Sequence, residues 1–169
     1  MVPRVQPPRS PLPGKSALRD ELLARLRVEL DQLEGAHRAA LEGATHEESR
    51  PENSKDTRAL EQSYLARGQA LRVADARRAV ADVAVMPVEG LAVDHAVVVG
   101  ALVTTAEDDD ERLVWVAPHG GGAVLAGGRV HVVTPQSPLG RALMGRSVGD
   151  ACELTLAGRE RVVEVVAVA

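Results

Sequence analysis

Residues 16–45 contain no proline, and Leu18, Leu22, Leu26, Leu30, Leu33, His37 and Leu41 recur through them at steps of four and three. That step is the helical period, so these side chains form one stripe along one face of a helix. Arg19, Asp20, Arg25, Glu29 and Asp31 fall between them and face water. Ser16 suits the N-cap, with Asp20 and Glu21 in the favourable first turns. About 30 residues at 1.5 Å each make a rod of roughly 45 Å. A lone rod with a narrow apolar stripe is not stable in water, so it needs a partner.

The partner follows in the chain. Residues 52–86 form a second proline-free run, with Ala59, Leu60, Tyr64, Leu71, Ala74, Ala81 and Val85 as a weaker stripe and Asn53 or Ser54 as cap. Residues 46–54 between the runs hold no hydrophobic side chain, and Pro51 disfavours helix at Arg50. The pattern predicts an antiparallel α-hairpin, a coiled coil, over 16–86, with its tip at 46–54 and its end at Pro87.

Beyond Pro87 the period changes. Val97–Thr104, Leu113–Val116, Val130–Val133, Cys152–Leu156 and Arg161–Val168 read as strands. Eleven of the fifteen glycines lie in this half, mostly between those runs, where they mark turns. Glu107–Glu111 reads as a charged hairpin tip and Leu139–Gly145 as one short helix. The expected fold class is α+β: the long α-hairpin followed by a small, mostly antiparallel β domain over 88–169. Residues 1–15 hold five of the ten prolines and read as a disordered or extended lead-in.

Composition narrows the function. The chain has no Phe, and Tyr64 and Trp115 are its only aromatics, too few for a base-stacking surface. Residues 88–169 carry six basic against eleven acidic side chains, so duplex binding through phosphates is not expected to dominate. One cysteine, Cys152, excludes an internal disulfide and a multi-cysteine zinc site, and fits a reducing compartment. No run approaches the ~18 apolar residues of a membrane span.

Two patterns imitate a hydrolase. His119-Gly120-Gly121-Gly122 resembles an esterase oxyanion loop, and Gly145-Arg146-Ser147-Val148-Gly149 matches a nucleophile elbow. The required histidine after the serine is missing, because His131 is the last in the chain. Glu107–Glu111 lacks the alternating ligands and central glycine of a calcium loop. Cys152 and Trp115 read as core residues. The hairpin tip is the remaining candidate: Glu47, Glu48 and Glu52 gather negative charge at the apex. Such acids suit a solvated turn, and they also suit a hard divalent ion shared with a partner enzyme.

Ser137-Pro138-Leu139-Gly140-Arg141-Ala142-Leu143-Met144-Gly145-Arg146-Ser147-Val148-Gly149-Asp150 resembles the C-terminal signature of the bacterial Gre-type transcript cleavage and elongation factors. Val98–Thr104 is similar to that family's first strand of the domain, and Pro51-Glu52-Asn53 to its tip. The resemblance covers about residues 16–168. It implies an FKBP-like C-terminal domain that docks on bacterial RNA polymerase and a coiled coil that enters the polymerase secondary channel. Glu52, with Glu48 or Glu47, takes the place of the tip acids that share a polymerase Mg²⁺ and promote cleavage of the nascent RNA 3′ end. The hydrolysis itself belongs to the polymerase, so the chain is not expected to be an enzyme or to hold a tight cofactor. Asn53, Ser137, Pro138, Arg141, Leu143 and Gly145 match family positions associated with polymerase contact. Ser49 stands where the family has its tip Asp. A regulator that occupies the same channel without promoting cleavage is therefore the second reading, and an adaptor for an unrelated protein the third. A cytoplasmic location follows from the resemblance.

Overall fold

A computed structural model describes residues 14–45, 58–89, 96–108, 110–156 and 158–169. Two helices, α1 (Lys15–Thr45) and α2 (Arg58–Val85), precede a six-stranded sheet. Its strands are β1 (Leu102–Glu107), β2 (Asp110–Val116), β3 (Val124–Leu125), β4 (Val130–Val133), β5 (Ala151–Leu156) and β6 (Arg159–Val168). A short helix, α3 (Pro138–Leu143), lies between β4 and β5. The sheet order is β3-β4-β2-β1-β6-β5, antiparallel throughout except for the parallel pair β2 and β4. The α+β expectation holds.

α1 begins one residue before the expected Ser16 cap. The carbonyl of Gly14 accepts the Leu18 amide at 3.1 Å, and no acid stands in the first turn. Lys15 therefore belongs to the helix rather than to the lead-in, whose residues 1–13 lie outside the described residues. The leucine stripe is confirmed and graded: Leu18, Leu22 and Leu26 are buried, Leu30 and Leu33 half-buried, and Leu41 exposed.

The inward face of α2 differs from the expected one. Val73, Ala79 and Val83 are buried, while Tyr64, Leu71 and Val85 are 71%, 63% and 82% exposed. Ala74 and Ala81 are exposed as well. Small apolar residues surround this helix on all sides, so no single period stands out. The contact with the α1 leucines selects the face. The helices run antiparallel, with Glu34 bonded to Arg77 at 2.7 Å midway along them.

The hairpin is not a separate rod. Leu18, Leu22, Leu23 and Leu26 share one core with Val83, Met86, Trp115, Leu125, Val130 and Val132. Alternation along β2 divides the sheet into two faces. Trp115 points to the helices, and its Nε1–H donates to the Gly100 carbonyl at 3.2 Å. Val114 and Val116 point the other way, into a second core with Val97, Val103, Leu143, Cys152 and Val165. Burial pushes the Cys152 thiol up, which suits a core residue and not a nucleophile.

The expected strand Val97–Thr104 starts only at Leu102. Gly100 at φ 96° turns the chain, and the Val97 amide and carbonyl are tied to Arg146 and Gly145. The two-residue strand β3 has too little sequence to carry a period.

Candidate partner-docking site

The tip residues Glu47, Glu48, Ser49, Glu52 and Asn53 lie outside the described residues. The second group of expected site residues is placed in full, around α3 on the sheet face away from the hairpin.

Ser137 starts this segment. Its Oγ accepts the Gly140 amide at 3.1 Å and donates to the Thr134 carbonyl at 2.8 Å. Pro138 then occupies the first helical turn, where its missing N–H is no loss. Gly140 is required by contact: a Cβ there would lie 1.9 Å from the Thr134 carbonyl oxygen. Leu143 is fully buried and fixes the helix to the second core. Gly145 leaves the helix at φ 75° and its amide bonds the Val97 carbonyl. The Ser147 amide donates to Asp150 Oδ2 at 2.8 Å, closing the next turn. Among the expected contact residues, Leu143 thus shapes the surface from beneath, while Pro138 and Arg141 are exposed on it.

Beside α3 lies a groove of about 320 Å³. Val114, Val133, Leu139, Leu154 and Val163 contribute apolar wall, and Ser137 and Pro138 form part of its rim. Its far end is charged. Arg161 bonds Glu107 through two nitrogens across the paired strands β1 and β6. That hydrogen bond holds the Glu107 carboxyl below its ordinary value and raises the Arg161 guanidinium above its own. Asp110 and Arg112 complete this end. Asp108 takes the left-handed φ of 52° that the tight β1–β2 turn needs. Glu107 was legible only as a turn acid. Its partner Arg161 lies 54 residues away, and topology brings them together.

The opposite sheet face is closed by the hairpin base. Glu21 Oε2 accepts the Ala126 amide at 3.0 Å, and His119 Nε2 pairs with Asp82 Oδ2 at 2.8 Å. Gly120 is so close to Leu22 that a Cβ would lie 2.6 Å from its Cδ1. The His119 glycine loop is therefore a seat for the helices. The serine of the false elbow stands in a separate turn after α3. Among the described residues no helix is long and apolar enough to cross a membrane.

The family profile described as "Transcription elongation factor, GreA/GreB, C-term" matches residues 93–169. The Transcription elongation factor GreA of Xanthomonas campestris pv. campestris is 30% identical over 168 residues, which span 95% of this chain and 98% of that protein. The chain belongs to the GreA/GreB family of transcription elongation factors. Among solved structures, Gfh1 of Thermus thermophilus is 18% identical over 87% of this chain and 94% of that one, at a TM-score of 0.38. Gfh1 of Thermus aquaticus is 19% identical over 86% and 92%, at 0.39.

Proposed function

We propose that this GreA/GreB-family chain acts on bacterial RNA polymerase as a two-ended device. The α3 face of the β domain docks on the enzyme, and the hairpin reaches through the secondary channel to the active site, where it promotes cleavage of backtracked RNA. The observation that carries this reading is the hairpin's attachment. The hairpin base is built into the sheet core on one face, while Pro138, Arg141 and the groove remain open on the other.

From Leu26, α1 runs on to Thr45, 19 residues or roughly 28 Å of helix. That length can carry the tip well away from the docking surface. Glu52, with Glu48 or Glu47, supplies hard oxygen donors of the kind Mg²⁺ takes beside substrate phosphates. Bound there, the ion would activate water and neutralise charge within the partner's centre. The chain's own part is to bring those carboxylates to that centre and orient them.

The test is direct. Purified polymerase is stalled in a backtracked complex, the protein is added with Mg²⁺, and RNA length is followed. Faster shortening than with polymerase alone is expected. Binding without acceleration would favour the second reading, a non-catalytic occupant of the channel, for which Ser49 at the family's Asp position is the specific observation. Failure to bind polymerase would leave the adaptor reading.

A further inference from the structure

We infer that the hairpin carries a hinge part-way along its length, at Gly35 and His37 of α1 and Gly68 and Gln69 of α2, and that the helical turns beyond it open as a unit of their own. The packing of the two helices puts these four residues at one level. A cleft along the hairpin is lined by Leu26, Glu29 and Leu33 from α1 and by Ala79, Ala76, Asp75 and Arg72 from α2. The helices are antiparallel, so rising numbers on α1 answer falling numbers on α2. About one turn farther out, some 6 Å, Leu33 leads to His37 and Arg72 to Gln69 and Gly68. Glu34 holds Arg77 on the base side of this level.

Backbone and seam are both weak here. Gly35 and Gly68 lie inside their helices, and a Cβ at either would meet nothing within 4 Å. Neither has the left-handed backbone that favours glycine. No close contact or turn therefore requires them, while each lowers the helix-forming equilibrium about fivefold relative to alanine. Between the helices, His37 Nδ1 and Gln69 Oε1 are buried without a hydrogen-bond partner among the described residues. Burial removes water from both atoms and returns no bond, so this layer opposes closure where an apolar pair would favour it. The seam also thins across this level. Leu30, Leu33 and Val73 fill it on the base side, and the half-buried residues beyond are Ala40 and Ala66. A helix pair opens locally where buried apolar contacts are few and its backbone is least committed. The hinge stands without the polymerase reading. Under that reading it lets the tip adjust while the docked domain and the hairpin base stay in place.

Amide hydrogen exchange on the full chain, without polymerase, tests the hinge. Amides of residues 39–44 and 63–67 are expected to exchange together, at least about tenfold faster than those of 28–33 and 72–76, with a step at the glycines. Gly35→Ala with Gly68→Ala is expected to slow the outer set by about tenfold or more and to leave the inner set within about twofold, which removes the step. His37→Leu with Gln69→Leu, which replaces the unpaired atoms with an apolar layer, is expected to act in the same direction on the same amides. Both pairs favour helix, so loss of folding does not obscure the result. A smooth gradient from residue 28 to residue 44 overturns the inference. So does a step that survives both pairs of substitutions, or a slowing shared equally by the inner set.

Discussion

The two ends of α1 are built on the same leucine period and yet are buried to different degrees. At the base, Leu18, Leu22 and Leu26 meet Val83, Met86 and the Trp115 face of the sheet, and all are buried. Toward the far end, Leu41 is 45% exposed and Tyr64 71% exposed, with only the other helix to pack on among the described residues. The same residue type is therefore core at one end and half-exposed at the other. Stability belongs where two elements and a sheet converge. Beyond that point the described residues of the arm are two helices with no sheet against them.

The largest expected effect breaks or sustains this comparison directly. Leu22→Ala should lower unfolding free energy by about 2–5 kcal/mol in urea titration, as for other fully buried leucines. Leu41→Ala should lower it by less than about 1 kcal/mol, because a half-exposed side chain leaves no closed cavity. Equal losses would show that the arm is as much a core as the base.

Legibility in the sequence follows the same division. The α1 face was readable because leucine is bulky and sits against charged neighbours. The α2 face was misread because alanine and valine occur on all sides, and Ala79 and Val83 are the ones that share a core with the α1 leucines. The α3 segment was readable because Ser137, Pro138, Gly140 and Gly145 each answer a local backbone demand. The groove was not readable, since Val114, Val133, Leu154 and Val163 come from four strands that only the sheet order brings together. The expected start of the first strand at Val97 failed at Gly100, whose left-handed backbone outweighs the β preference of the valines before it. The tip acids lie outside the described residues, so their role rests on the family pattern and the proposal built on it.

Smaller effects sharpen the contrast on the other sheet face. Gly140→Ala forces a methyl group against the Thr134 carbonyl and should destabilise by about 1–3 kcal/mol, as overpacking does. A thermal melt measures it, and an unchanged midpoint would show that α3 shifts freely. Ser137→Ala removes the cap of α3 and should take about 1 kcal/mol. Its test is the urea midpoint, with a neutral result excluding Ser137 as a structural cap.

The Glu107–Arg161 pair should show the smallest effect, and the most dependent on conditions. The folded carboxyl titrates below its unfolded value, so its stabilisation is complete above the unfolded value. It is lost as pH falls through the folded one. The difference in stability between the wild type and Glu107→Gln should therefore be visible at neutral pH and vanish in acid. It should also shrink with added salt, since both side chains reach solvent. A difference that grows toward acid would contradict the assigned ion pair.

The central claim is a division of labour between the α3 face and the hairpin tip, and one paired measurement tests it: polymerase affinity and RNA cleavage for Pro138→Asp and Glu52→Ala, side by side on a backtracked complex. The expected result is weakened binding for Pro138→Asp, with cleavage restored at saturating protein, and unchanged binding with lost cleavage for Glu52→Ala. Cleavage by Glu52→Ala at the wild-type rate, or full affinity in Pro138→Asp, would contradict the account.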